Sequence, residues 1–450
     1  MSKTIKIKKG YDLKLVGSAK PEVGKTYTAG SYALKPSDFE DITPKLILRE
    51  GAQVKAGEAI FCDKDRPEIL FTSPVSGEIS EVKRGEKRRI LEIVILADKE
   101  IKYVDFGIVA PSSLNAEAVT KRLLESGAWA LLIERPFGVV ANPKHKAKNI
   151  FVNGISSAPL AADVNVQLKG EGKNFQSGLD ALAKLTDGKV YLSLDADVTP
   201  CEELKNAKGV EINYFSGPHP KGNVGVQIHH LAPINKGETA IAVSAEDVVI
   251  IGRLFNTGKL DMQRTIAVGG AEVKSPKYIK AIPGVNLSNL FAEEAKAGNN
   301  RYISGNVLTG KSVGKDGFLG FYSTEVNVIS EGNEEEFLGW ILPGFSKFSL
   351  SRTFMSWLTP NRAYNLNTAM HGEQRAFVLT GEYEKVFPFD IYPVELVKSI
   401  LTRDIEKMEQ LGIYEVTEED FALCEVTCAS KIPVQEIVRE GLNFLRAEVA

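Results

Sequence analysis

The chain has 450 residues, 43% of them hydrophobic and 25% charged, with a formal net charge of -3. At roughly 150 residues per domain this length predicts about three domains, and the hydrophobic share is ordinary for packed cores. A near-neutral charge offers no surplus of Lys and Arg to hold a phosphate backbone, which argues against nucleic acid as a partner. Four scattered cysteines, Cys62, Cys201, Cys424 and Cys428, do not make a disulfide scaffold and point to a reducing compartment. MSKTIKIKKG carries lysines with no apolar stretch behind them, so no secretory signal is expected. Apolar segments such as 128–133 fall far short of the ~20 residues that span a bilayer, so work at a membrane would require binding something already there.

Residues 42–96 read as short strands separated by turns, in two near-matching half-units. Gly51-x-x-Val54-x-x-Gly57-x-x-Ile60 is the first, and Pro74-Val75-Ser76-Gly77-x-Ile79-x-x-Val82-x-x-Gly85 the second. Glycines at these intervals permit tight turns while β-branched residues fill a small core, the pattern of a biotinyl/lipoyl-like barrel-sandwich domain. From about 101 to 255 helices and strands alternate. Asn115 to Ser126 is helical with Gly127 at its C-cap; Val164 to Leu168 reads as a strand, Phe175 to Leu185 as a helix and Lys189 to Leu194 as a strand. That order predicts a parallel sheet in a Rossmann-like domain. Residues 263–292 return to β character and resemble a ligand-binding β-grasp module of the SLBB type, and strands with Gly-rich turns continue over 304–355.

The last 60 residues read as helical. Val394, Val397 and Leu401 share a face, Gly412 closes the helix carrying Ile405 and Met408, and Thr417 to Asp420 is a capping-box start with Cys424 and Cys428 on one helix face behind it. Pro433 opens a final amphipathic helix. The expectation is an α/β multidomain chain: 1–100 an N-terminal segment and barrel-sandwich domain, 101–257 Rossmann-like, 258–303 β-grasp, 304–380 a β-rich segment completing the barrel-sandwich region, and 381–450 helical.

Motifs for chemistry are sparse. Lys64, in Asp63-Lys64-Asp65 near the tip between the half-units, is where a lipoyl or biotinyl carrier presents its modified lysine, but Arg66-Pro67 alters that tip. Gly170-Glu171-Gly172 lacks the third glycine of a dinucleotide fingerprint until Gly178, and an acid sits between the first two, so a structural loop is expected. Cys424 and Cys428 match the last two members of a ferredoxin-type run, while Glu418 and Phe421 stand where the others belong; two thiolates cannot hold a four-iron cluster. His229 and His230, read on a strand, face opposite sides, and no zinc spacing, nucleophile elbow or Walker loop occurs. Asp195 and Asp197 share a strand face, where a capping role at the strand end explains them as well as acid-base work would. No catalytic constellation and no metal site is expected.

Phrases along the whole chain carry a resemblance. They include Lys9-Gly10-x-Asp12-Leu13, Phe71-Thr72-x-Pro74, Arg135-Pro136-Phe137, Gly217-Pro218-His219-Pro220-x-Gly222, Ile303-Ser304-Gly305-x-Val307-Leu308-Thr309-Gly310, Phe337-x-Gly339-Trp340 and Glu418-Glu419-Asp420-x-Ala422-Leu423-Cys424. As a set these resemble the A subunit of the Na+-translocating NADH:quinone reductase, and more distantly the C subunit of the Rnf complex and the flavoprotein subunit of respiratory complex I. Those flavin-binding relatives use a loop of the type G-G-A-G-F-P; here the stretch is Leu132-Ile133-Glu134-Arg135-Pro136-Phe137-Gly138-Val139, without adjacent glycines and with an acid that would repel phosphate.

The resemblance implies a cofactor-free peripheral subunit of an oxidoreductase complex that couples NADH oxidation and quinone reduction to Na+ export. It implies other subunits as partners, integral membrane subunits among them, which carry the flavins and iron-sulfur centres. The expected place is the cytoplasmic face of the bacterial inner membrane. Quinone is the one ligand it suggests for this chain, at segments 34–43 and 135–139, with Leu34, Phe39, Arg135, Pro136, Phe137 and Gly138 as candidates. The competing expectation puts Phe39 and Phe137 in a core and Arg135 in a surface ion pair. Two other functions stand beside this one: a carrier protein modified at Lys64, and a soluble dehydrogenase using the Rossmann-like domain.

Overall fold

The computed structural model describes residues 3–333, 336–339 and 341–449. Its centre is a mixed sheet in the order Thr4–Lys6, Glu211–Ser216, Val190–Asp195, Ile150–Gly154, Ala240–Ser244, Ile133–Arg135, Val139–Val140. The first five strands run parallel, and the last two form an antiparallel edge. Strands such as VYLSLD and AIAVS are buried on both faces, as expected where helices cover both faces of a parallel sheet. One cover is Ala245–Thr257, capped by the Ser244 hydroxyl, which accepts from Asp247 N, and closed by Gly258 in the left-handed region. It packs against Gly172–Leu182 so closely that a Cβ on Gly252 would stand 1.7 Å from Asn174 O.

The barrel-sandwich unit is built from two antiparallel sheets. One holds Ser31–Leu34, Ile90–Ala97, Gly77–Arg84 and Gln53–Val54; the other holds Pro44–Leu46, Ala59–Asp63 and Leu70–Thr72. Gln53 pairs with Glu78 and Val54 with Gly77, so the two half-units seen in the sequence meet each other. A third sheet runs in the order Lys311–Ser312, Asn300–Ser304, Glu325–Ser330, Arg264–Gly269, Lys277–Ala281, Lys20–Thr26. The first strands therefore lace two sheets outside the barrel: Thr4–Lys6 extends the central one and Lys20–Thr26 the third. One apolar core runs through all three units, and a second lies beneath the C-terminal helices, reaching Ile7, Ile155 and Phe215 of the α/β unit.

Several local expectations are corrected. Val164–Leu168 is a helix, because the Asp163 side chain accepts from Asn165 N and caps it; Gly170 thus follows a helix. His229 and His230 lie on the helix Val224–Leu231, not on a strand. Ser288–Glu294 is helical within the stretch read as β. After Glu325–Ser330 no strand occurs among the described residues up to 355. Leu401 is exposed, and Ile400 takes its place on the buried face with Val394 and Val397. Asn115–Gly127 is as expected, with the Asn115 side chain accepting from Ala118 N and Gly127 in the left-handed region. Trp340 of the Phe337-x-Gly339-Trp340 phrase lies outside the described residues.

A buried charge group joins the third sheet to the α/β unit. Arg264, 1% exposed, places Nη2 2.6 Å from Asp247 Oδ1 and Nη1 3.8 Å from Glu246 Oε2. Burial raises the Glu246 pKa to about 7, against the opposing pull of Arg264 and the Thr265 N–H. Folded Glu246 therefore binds a proton more tightly than unfolded Glu246 between pH 4.5 and about 7, and the stability it adds below that window is lost as pH rises through it. Glu246→Gln should remove this dependence. Urea unfolding at pH 5, 6, 7 and 8 is expected to show wild type losing ground to the variant by up to roughly 3 kcal/mol; parallel curves would contradict the assignment.

Candidate functional site

Arg135 ends the strand Ile133–Arg135, second from the sheet edge, where its backbone pairs with Ala240. The turn behind it holds Pro136, Phe137 and Gly138, the last in the left-handed region. Far from being a surface pair, the Arg135 side chain is buried and crosses to the C-terminal unit. Nη1 donates to Thr417 Oγ1 at 2.6 Å and lies 3.9 Å from Asp420 Oδ2, while Nη2 binds Glu419. Thr417 opens a capping box in which its own N–H donates to Asp420 Oδ2 at 3.0 Å. Asn223 completes the junction by donating to Glu419 O at 3.1 Å and to Asp420 Oδ1 at 3.3 Å.

Burial works against the Arg135 charge, but Glu419, Asp420 and Glu418 outweigh it and raise its pKa. Burial, with the charge of Glu419, lifts Asp420 to about 7 against the pull of Arg135. Beside them the final helix, Val434–Val449, reaches back. Arg439 Nη1 donates to Phe137 O at 2.7 Å and Nη2 binds Glu418. Two turns on, Arg446 binds Asp41, which also lies 3.6 Å from Arg66 Nη2. One helix thus touches both segments singled out from the sequence, 34–43 and 135–139.

The candidates differ in exposure. Leu34 is in the barrel core, and Phe39 is enclosed by Phe71 and Phe321 at ring-centroid distances of 4.4 and 4.7 Å. Pro136 is buried as well; Phe137 and Gly138 are partly exposed, with Phe137 edge-on to Tyr414 at 6.3 Å. Glu134 is buried on its strand, accepting from Asn142 N at 3.1 Å and lying 3.0 Å from His145 Nδ1.

A second cluster, missed in the sequence, sits at the carboxyl ends of three parallel strands, where open α/β sheets bind ligands. The turn 217–222 spans that edge. Lys221 Nζ lies 2.7 Å from both Asp195 and Asp197, Asn153 donates to Gly222 O at 2.7 Å, and Ser157 Oγ is 2.9 Å from His219 Nδ1. Burial lowers the His219 pKa to about 4 and keeps the ring neutral. Asp12 accepts from His219 N at 2.9 Å, and a Cβ on Gly10 would stand 2.1 Å from His219 O. The chain's own backbone therefore lines this edge. The paired acids and the Gly-Pro-His-Pro run were both visible in the sequence; that Lys221 joins them was not.

Cys424 and Cys428 are both buried, but the helix ends at Thr427, so Cys428 sits past it in extended backbone instead of one turn along the same face. Among the described residues no group of three His, Cys, Asp or Glu side chains is placed to hold a metal.

Three family models match: the NqrA N-terminal barrel-sandwich hybrid domain over residues 5–98, the NqrA second alpha/beta domain over 114–260 and the NQRA C-terminal domain over 265–315. Relatives named as the A subunit of Na(+)-translocating NADH-quinone reductase match end to end. Those of Haemophilus influenzae strain PittEE and Pasteurella multocida strain Pm70 are 37% and 36% identical over 99% of this chain and 100% of their own. The chain belongs to the NqrA family, the A subunits of Na(+)-translocating NADH-quinone reductases. The fold is the family's: barrel-sandwich hybrid, α/β and SLBB-type units with a helical C-terminus. Among solved structures, an NAD+-reducing [NiFe]-hydrogenase in the air-oxidized state shares 13% identity at a TM-score of 0.38, over 77% of this chain and 67% of that one.

The Arg135 junction gives a sharp test of how the helical unit is held. Arg135→Ala leaves Asp420 buried without its cation and should cost about 3–5 kcal/mol in urea unfolding. The loss is expected to grow from pH 5 to pH 8, because Asp420 is protonated at the lower pH. Arg135→Lys, which cannot fork between Thr417 and Glu419, should recover only part of it.

Proposed function

We propose that this chain is a peripheral, cofactor-free A subunit of a Na+-translocating NADH:quinone reductase, acting as a scaffold on the cytoplasmic face of the bacterial inner membrane. The observation that carries this reading is the match to relatives of that name over their whole length. Among the described residues no helix is long and apolar enough to cross a membrane, so on this reading membrane attachment comes through integral companion subunits. NADH oxidation, quinone reduction and Na+ export belong to the assembly, with flavins and iron-sulfur centres on other subunits. The division proposed for the chain is 1–100, 101–257, 258–303, 304–380 and 381–450, with strands of the fourth segment shared with the third-sheet unit.

The quinone contact is part of this proposal and centres on Phe137 and Gly138. Both keep exposed surface, and they sit where the barrel tip, the edge strand and the final helix converge. Arg135 and Pro136 lead into that turn and are buried, whereas Leu34 and Phe39 lie in the separate core shared by the barrel, with Phe39 against Phe71 and Phe321. An aromatic ring beside backbone amides suits a planar apolar headgroup with polar carbonyls. A carrier role for Lys64 has less support. Lys64 is exposed, but Arg66 pins the tip by binding Asp63 at 2.7 Å and donating to Val140 O at 3.3 Å, where a carrier tip has to swing free.

Native purification should bring this chain down with hydrophobic companion subunits. In that complex a photoreactive quinone is expected to label the peptide containing Phe137, with labelling reduced about tenfold in Phe137→Ala. Labelling confined to other subunits would remove the quinone role and leave the scaffold role standing.

A further inference from the structure

Residues 331–382 contrast with the rest of the chain. Their described portion has one short 3-10 turn, Met355–Leu358, and no strand. Large apolar side chains that a monomer would bury stand in water here: Phe337 is 89% exposed, Phe345 61%, Leu358 54% and Trp357 48%. Exposed large apolar side chains gathered in one segment are the composition of an interaction site. The composition is also biased. From Phe337 to Gly372 there is no Asp or Glu, while Lys347, Arg352 and Arg362 are present and seven residues are aromatic.

Within 337–364 the described anchor is to the N-terminal segment, while Glu331 and Arg375 tie the flanks to Asn299 and Ser430. The Phe348 ring lies 5.6 Å from Tyr11 and 5.4 Å from Tyr364, Tyr364 N donates to Lys14 O at 2.8 Å, and Val16 N donates to Tyr364 O at 3.0 Å. The N-terminal segment there adds exposed Lys14, which donates to Asn361 Oδ1 at 3.2 Å, and carries exposed Lys8 and Lys9 beside the single exposed acid Asp12. Arg352 is exposed, Arg362 donates to Phe345 O at 2.8 Å, and Lys347 is paired with Glu336. The surface is therefore apolar, aromatic and cationic together.

We propose that the 337–362 arm, with the Lys8–Val16 strip beneath it, is the docking surface for an acidic, apolar-bearing extended segment of a companion subunit; the inference rests on the subunit reading above. Charge complementarity sets the acidity of the occupant. Backbone chemistry selects a polypeptide over lipid. The arm's described main-chain bonds are mostly single turns, so it carries backbone donors and acceptors that a second chain can pair by strand addition. Hydrocarbon offers them nothing. Aromatic anchors flanked by cations are the composition that gives a few side chains most of an interface's energy.

The test uses the full chain and the detergent-solubilised companion subunits, with Phe345→Asp/Trp357→Asp as the variant. Both side chains are largely solvent-exposed, so thermal unfolding of the isolated variant should match wild type. Its affinity for the companion subunits is expected to fall about tenfold or more, and added salt should weaken wild-type binding. Equal binding by variant and wild type overturns the inference while leaving the subunit reading intact. Binding of wild type, but not the variant, to protein-free vesicles of anionic phospholipid also overturns it, since lipid is then the occupant. No binding of wild type to the companion subunits counts against the subunit reading and takes the inference with it.

Discussion

A guanidinium largely withdrawn from water needs anionic or carbonyl partners nearby, and three such groups fix where the units of this chain sit. Arg264 ties the third sheet to the acids at the start of the Ala245–Thr257 helix. Arg135 ties the antiparallel margin of the α/β sheet to the capping box of the helical unit. Arg66 ties the barrel hairpin to Val140 on the edge of the central sheet. Each side chain reaches from its own unit into another, and the planar fork lets it hold more than one partner. Buried pairs of this kind add little net stability, because desolvation cancels most of the attraction. What they do is penalise every other arrangement of the units, since a misplaced unit would leave a buried charge alone. Apolar cores that run between units supply the cohesion, and the arginines supply the register.

Legibility in the sequence follows from how local the determining interaction is. The Asn115–Gly127 helix could be read because its cap, its apolar face and its left-handed stop all lie within that one short stretch. The two half-units of the barrel were readable for the same reason, as each turn carries its own glycine. Val164–Leu168 was misread because Val-Asn-Val alternates like a strand, while the deciding bond, Asp163 to the Asn165 N–H, is a capping interaction one residue outside the window. His229 and His230 gave no periodicity of their own; their helix is fixed by packing over the central sheet. Thr4–Lys6 and Lys20–Thr26 could not have been assigned to their sheets, because their pairing partners, Tyr214 to Ser216 and Lys277 to Lys280, lie far along the chain.

The candidate site was legible as segments and not as an arrangement. Arg135 through Gly138 was identified by likeness, but its setting depends on Thr417, Glu419 and Asp420 at the other end of the chain. Equally, Leu34 and Phe39 were singled out for being apolar beside polar neighbours, a property that a core residue and a ligand contact share. Only burial separates them, and burial is a property of the fold. For Asp195 and Asp197 the sequence allows a strand-end capping role or acid-base work; Lys221, which pairs with both, comes from the next crossover and shows in no local pattern.

Two contrasting surfaces follow from where polar groups find partners. At the carboxyl ends of the parallel strands, polar side chains that would otherwise face a crevice are paired internally: Lys221 with two aspartates, Asn153 with Gly222, Ser157 with His219. Binding a ligand there would mean breaking those bonds and replacing each one. The 337–362 arm is the reverse case, for its exposed aromatic side chains have little internal packing to lose and its described backbone bonds are mostly single turns. Ordering it costs conformational entropy, which its own weak packing does not recover within the isolated chain. A surface of that kind gains only by being covered. The polar groups named at the sheet end thus hold one another, while the exposed aromatic side chains of 337–362 have most of their surface left to bury.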